Sequence, residues 1–108
     1  MNILEMNQQD IENEIKKMKQ KIKINYFDYT LIPDRLMENM KEYAKGNQIL
    51  GGFLDAVFCN DLSRAVACAD DTNLPLIPVY VKFIHNELPF GCHGSREIVE
   101  AWLKRKRE

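Results

Sequence analysis

The chain has 108 residues, of which 15 are basic and 16 acidic, so its formal net charge is −1. This length predicts one domain with one modest core. The near-neutral charge argues against a general nucleic-acid binder, which needs a basic excess, and against a DNA mimic, which needs an acidic one. Because residues 1–10 lack a signal-peptide pattern and no apolar run could span a bilayer, we expect a cytoplasmic protein without a membrane partner.

Residues 1–30 predict a helical arm with an aromatic connector. Apolar and polar positions at alternating spacings of four and three form a coiled-coil seam: Leu4, Gln8, Ile11, Ile15, Met18 and Ile22. An isolated helix of this length is marginal in water, so it must pack on its own domain, on a second copy or on a partner. The connector favours either a short strand or a segment that lays its rings over the core; if exposed, Tyr26, Phe27 and Tyr29 would contact a partner.

Residues 31–108 predict a compact domain of four to five short helices, which makes the whole chain all-α. Pro33 and Gly46 are typical of the start and the end of a helix, and Gly51-Gly52 opens a second apolar run. Asn60-Asp61 interrupts that run. We expect it to end one helix and Asp61 to cap the next, because Asn and Asp compete with helical backbone hydrogen bonds.

The stretch 76–84 fits two patterns. Its alternating apolar residues are typical of a strand, whereas Ile77, Tyr80 and Ile84 match a helical stripe. We prefer a helix that begins near Pro75 or Pro78, since proline is tolerated in a first turn. After it, Ser95 is predicted to cap a last helix whose main core anchor is Trp102.

Two glycine-bearing turns, Gly51-Gly52 and Gly91–Ser95, each precede a helix, where free backbone N–H groups attract phosphates. Tight-turn packing alone is the alternative explanation for both turns. Arg64 could hold a phosphate or an acidic surface, or it could pair with Asp61 or Asp55. The candidate residues for binding a ligand or partner are Gly51, Gly52, Asn60, Asp61, Arg64, Asn86, Gly94 and Ser95.

Cys92 beside His93 is the best candidate for catalysis, but adjacent side chains point apart and no third group orients the pair. The three cysteines are an odd number, which favours reduced thiols, and no pair has zinc-ligand spacing. We therefore predict no enzyme activity, no catalytic residue, no metal and no cofactor.

Residues 31–103 carry an ordered set of short motifs. The motifs include Gly51–Val57, Asn60-Asp61-Leu62, Asn86-Glu87 and Gly91–Ser95. Their order resembles the pattern Gly-x-Phe-Leu-x-Ala-Val, Asn-Asp-Leu, Tyr-Asn-Glu and Gly-Cys-aromatic-Gly-Ser of a family of small proteins from tailed bacteriophages and prophages. His85 and His93 stand where that family has aromatic residues, and residues 1–30 lie outside its pattern.

The resemblance implies a small phage accessory protein of the host cytoplasm that acts by stoichiometric binding. The leading hypothesis is an anti-defence protein, which either sequesters a signal nucleotide in a homo-oligomer or covers a host defence protein. The alternative is a structural or regulatory phage component that assembles through the N-terminal helix.

Overall fold

The computed structural model describes residues 7–21 and 24–107, and for residues 15–21 it describes the backbone only. No strand occurs in these ranges, so the all-α prediction is confirmed. The α helices are α1 (Gln8–Lys21), α2 (Asp34–Ala44), α3 (Gly52–Phe58), α4 (Leu62–Cys68), α5 (Ile77–Glu87) and α6 (Arg96–Arg107), with 3-10 turns at Tyr29–Leu31 and Leu74–Leu76.

Within the arm, Gln8–Lys21 is helical, as predicted. Asn7 begins α1, because its side-chain oxygen accepts a hydrogen bond from the Asp10 N–H at 2.8 Å. Of the predicted seam, Gln8 is exposed and Ile11 is half-buried. The side chains of Leu4, Ile15, Met18 and Ile22 lie outside the described part of the chain. Coiled-coil pairing, homo-oligomer formation and the boundary at residue 30 stay predictions, and so does the bundle arrangement of the later helices.

The segment after the arm is a turn-rich connector, so the strand alternative is wrong. The side chains of Asn25 and Asp28 each accept a hydrogen bond from the N–H two residues later, which bends the chain at both places. Tyr29 packs edge to face on Phe83, with ring centroids 5.2 Å apart. The connector therefore lays one ring on the core and leaves its other two aromatic residues exposed.

The core is assembled from one buried stripe of each helix from α2 to α6, except that α4 contributes little. Tyr43 and Phe58 pack edge to face, and the Tyr43 hydroxyl donates to the Cys92 carbonyl at 2.7 Å. The Tyr80 hydroxyl donates to Asn73 Oδ1 at 2.7 Å. Both phenols are fully buried and hydrogen-bonded, which avoids the cost of an unpaired polar group.

Two breaks in the helical pattern are confirmed. Asn60 adopts a left-handed φ of 59° after α3, and the Asp61 side chain accepts a hydrogen bond from the Arg64 N–H at 3.2 Å to cap α4. α5 begins between Pro75 and Pro78, because a proline in the first turn lacks an N–H that would have no helical partner anyway.

Both ends of α6 are fixed to the rest of the domain. At its start the Ser95 hydroxyl accepts a hydrogen bond from the Ile98 N–H at 3.2 Å, which confirms the predicted cap. At its end Arg107 Nε donates to the Gly46 carbonyl at 3.3 Å. Trp102 is only 5% exposed and is the predicted core anchor of this helix.

Gly46 makes the contact with α6 possible. Its φ is +86°, and a Cβ at this position would lie 2.5 Å from the Lys106 Cβ. We expect Gly46→Ala to lower the free energy of unfolding by about 2 kcal/mol, from left-handed strain and overpacking. Urea denaturation measures this loss.

Gly52→Ala is the matched control. Gly52 lies in α3, and a Cβ there would meet nothing within 4 Å. This substitution should leave the stability unchanged or raise it by about 0.5–1 kcal/mol, because alanine favours helix. Equal unfolding midpoints for the two variants would contradict the close approach at Gly46.

Candidate functional site

The predicted ligand-binding turns lie at opposite ends of α3. The Gly51-Gly52 turn precedes the helix, and its first N–H donates to Asn39 Oδ1 at 3.1 Å. Gly94 lies at the other end, because its N–H donates to the Phe58 carbonyl at 2.7 Å. A helix of seven residues spans about 10 Å. The two turns therefore do not converge on one phosphate-binding site.

Arg64 belongs to an ion-pair cluster centred on Asp55. Arg64 Nη2 lies 2.6 Å from Asp55 Oδ2. Arg96 binds the same carboxylate with both terminal nitrogens, at 2.6 Å and 3.1 Å. We call these three residues the Asp55 cluster. It joins α3, α4 and α6 through charge-assisted hydrogen bonds, which are the stronger kind.

The Asp55 cluster pairs the charge of Arg64 within the protein. Partial burial raises the pKa of the Asp55 carboxyl, but hydrogen bonds from Arg96 and Arg64 outweigh it and hold the pKa below its ordinary value. Arg64 Nε also lies 3.5 Å from Asp61 Oδ2, an ion-pair distance without hydrogen-bond geometry. The predicted pairing of Arg64 with Asp61 or Asp55 is thus confirmed for both. Its guanidinium is directed at these carboxylates.

The remaining predicted ligand residues stabilise local backbone. Asp61 and Ser95 cap α4 and α6, as described above. Asn86 Nδ2 donates to the Tyr29 hydroxyl at 3.3 Å, which ties α5 to the connector. Asn60 occupies the left-handed position that reverses the chain after α3. Each residue thus has a structural role, and a shared ligand is not needed to explain any of them.

Two histidines meet at the carboxyl end of α3. His85, His93 and Asn60 line a small cavity of about 130 Å³, and the imidazole centroids lie 4.6 Å apart in an edge-to-face arrangement. Burial lowers the pKa of His93, and the neighbouring His85 lowers it further. The folded protein therefore favours the neutral form of His93.

Cys92 is unsuited to nucleophilic attack. Its side chain is fully buried, and burial raises the pKa of the thiol to about 11. At neutral pH the sulfur is a thiol rather than the reactive thiolate.

An open groove of about 620 Å³ lies beside α6. We call it the α6 groove. Phe90 at its edge is 99% exposed, whereas Trp102 is almost fully buried. The sequence analysis did not identify Phe90, because a single aromatic residue between Pro89 and Gly91 has no periodic pattern that indicates whether it is exposed. The lining consists of Phe90, Gly91, His93, Ile98, Ala101, Trp102, Lys104 and Arg105.

Two cationic side chains lie over the Trp102 ring, and one of them, Arg105, also lines the α6 groove. Arg105 Cζ lies 4.9 Å and Lys106 Nζ 4.8 Å from the centroid of the ring, within cation–π range. The indole Nε1 is buried and has no hydrogen-bond partner, which costs about 1–3 kcal/mol. The α6 groove thus combines an apolar floor with positive charge.

The aromatic connector provides a second exposed surface. Tyr26 is 44% exposed and Phe27 60% exposed, whereas Tyr29 is half-buried against the core. Lys82 Nζ lies 5.2 Å from the Phe27 ring centroid. Of the three predicted contact residues, Tyr26 and Phe27 are therefore open to a partner.

Within the described residues no three His, Cys, Asp or Glu side chains cluster closely enough to hold a metal ion. In the same ranges no helix is both long and apolar enough to cross a membrane. Comparisons with protein-family models, curated proteins and solved structures found no match. The phage setting therefore stays a prediction from the sequence motifs.

The Asp55 cluster can be tested by removing one charge. Asp55→Asn should lower the free energy of unfolding by about 1–2 kcal/mol, between the values for exposed and for buried charged hydrogen bonds. Because the folded-state pKa of Asp55 is depressed, this contribution exists above its ordinary pKa of 3.8 and disappears as the pH falls through the folded-state value. Urea denaturation at neutral and acidic pH measures both effects.

Asp61→Asn is the control for this experiment. It removes one carboxylate from the same neighbourhood but retains a good helix cap, so stability should change by less than about 0.5 kcal/mol. If Asp61→Asn lowered the free energy of unfolding as much as Asp55→Asn, the loss would come from removing any negative charge in this region rather than from breaking the Asp55 cluster.

His93 should make the stability depend on pH near neutrality. Its folded-state pKa lies below the ordinary 6.5, so its contribution is complete above that pH and is lost as the pH falls through the folded-state value. The melting temperature should therefore be independent of His93 above pH 6.5 and should decrease as the pH falls below 6.5. His93→Gln should flatten this dependence. His85→Gln should retain most of it, because burial is the larger cause; an unaltered profile in His93→Gln would contradict the assignment.

Proposed function

We propose that the chain is a non-enzymatic, phage-type accessory protein that inhibits a host defence protein by covering part of its surface. The observation that carries this proposal is the α6 groove, with the fully exposed Phe90 at its edge. Exposed apolar surface next to a concave apolar floor is a mark of protein–protein contact. The motif resemblance supplies the phage setting.

Covering a protein fits the geometry better than sequestering a nucleotide. A nucleotide site needs phosphate-binding amides and a free cation at one place. Here Arg64 is hydrogen-bonded to Asp55, and the glycine turns at Gly51-Gly52 and Gly94 flank α3 from opposite ends. The buried thiol of Cys92 likewise supports binding rather than catalysis.

Phe90→Ala tests this function without endangering the fold. The wild-type chain is used to isolate a bacterial protein, and the two purified proteins are recombined to measure stoichiometry and affinity by calorimetry. Burying a Phe side chain contributes about 1.5–3 kcal/mol, so the variant should bind about 10- to 100-fold more weakly in a one-to-one complex.

Leu62→Ala is the matched control, because Leu62 is an exposed apolar residue on α4, 68% exposed and outside the α6 groove. It should bind as the wild type does. Expression of the wild type, but not of Phe90→Ala, should restore phage plating on bacteria that carry the corresponding defence system. Equal affinities of both variants would contradict a role for the groove. A melting-temperature rise with cyclic nucleotides would instead favour nucleotide sequestration.

A further inference from the structure

We propose that the α6 groove accepts an acidic peptide segment that carries one large apolar side chain as its anchor. This inference rests on the proposed function, because it specifies the chemistry of the segment by which the partner protein is held. It is argued from two features of the groove, its charge and its apolar floor.

The charge of the groove has one sign. Lys104 and Arg105 belong to the lining, and none of the eight lining residues is acidic. Lys106 and Arg107 extend the positive charge to the end of α6. A segment with carboxylates on both sides of its anchor would complement this surface, and charge complementarity fixes orientation and raises association rates.

The floor of the groove is apolar and of the right size. Ile98 and Ala101 line the groove together with Phe90 and Trp102, and a volume of about 620 Å³ is typical of a pocket that holds several groups of a ligand. Ile98 is 40% exposed, so an anchor side chain would remove it and Phe90 from water together. The groove could therefore receive an aromatic or aliphatic anchor side chain of a partner, the type of residue that contributes most of the binding energy at interfaces.

The indole of Trp102 supplies apolar surface rather than a hydrogen-bond donor. The side chain is 5% exposed, and its Nε1 is buried and without a hydrogen-bond partner, so an occupant of the groove would not reach that atom. Stacking of nucleic-acid bases on Trp102 is disfavoured, because the ring is almost wholly covered and carries Arg105 and Lys106 over it.

A second copy of the chain is a poorer occupant. A symmetric contact through the α6 groove would bring two sets of Lys104 and Arg105 together, and like charges repel. The arm is no better matched, because α1 carries three acidic residues against four lysines. An acidic segment of another protein therefore fits the charge better than either part of this chain.

Trp102 is the single tryptophan of the chain, so its fluorescence reports directly on the groove. The probe is a synthetic peptide with one Phe flanked by Asp and Glu, compared with the same peptide carrying Asn and Gln. The acidic peptide should bind the full-length chain at least about tenfold more tightly at low salt, and added salt should reduce the difference.

Charge reversal sharpens the experiment. A double variant, Lys104→Glu with Arg105→Glu, should lose the acidic peptide and prefer one in which Lys replaces the acids. Lys41→Glu, a single charge reversal at an exposed position of α2, should bind as the wild type does. Far-UV circular dichroism melts verify that each variant is folded.

Several outcomes would overturn the proposal. These are equal binding of acidic and neutral peptides, tighter binding of a single-stranded oligonucleotide, and self-association that Lys104→Glu abolishes. If binding of the isolated partner protein still depends on Phe90 but acidic peptides do not bind, the proposed function is supported and the proposal of an acidic segment is wrong. If acidic peptides bind but the affinity for the partner protein does not depend on Phe90, the proposed function is wrong and the proposal of an acidic segment is supported.

Discussion

The position of α6 depends on the carboxylate of Asp55, which receives hydrogen bonds from Arg64 and Arg96. The Asp55 carboxylate is largely shielded from water, and a shielded charge is retained only when it is paired. The two guanidiniums provide that pairing from α4 and α6, so three short helices are held at one point. Seven-residue helices such as α3 and α4 have little intrinsic stability, and a tertiary contact of this kind compensates for it.

α6 is held at a second point by Gly46. There the absence of a side chain lets the Lys106 Cβ approach the backbone after α2, and Arg107 donates to the carbonyl. With Arg96 fixed at the start and Arg107 at the end, α6 is aligned along the core over its whole length. The α6 groove forms on the part of its surface that these contacts and the core leave uncovered.

Regular patterns in the sequence predicted the fold well, because each has a local physical cause. Asp61 and Ser95 cap helices through their own side chains, Gly46 ends a helix where φ is positive, and prolines begin α5. The sequence predicted less well which side chains the packing of the helices would bury. Leu62 is apolar and begins α4, but its side chain is 68% exposed.

The candidate site could be predicted only in part, since it depends on which residues remain free after folding. Arg64 had two possible roles in the sequence, and its distance to Asp55 was needed to choose between them. Arg96 gave no local signal, because it lies 41 residues from its partner. Phe90 likewise gave no signal in the sequence. It lies in a turn between a proline and a glycine, where no periodic pattern predicts whether a side chain is buried or exposed.

Trp102 connects the stability of the fold with its recognition surface. It lies four residues after Ile98, which places it on the groove-lining face, and three after Val99, which places it on the core-facing stripe. One ring thus serves both surfaces, so an occupant of the α6 groove would contact the same side chain that anchors α6. Binding there should therefore also stabilise the helix, because a ligand that binds only the folded chain raises its stability.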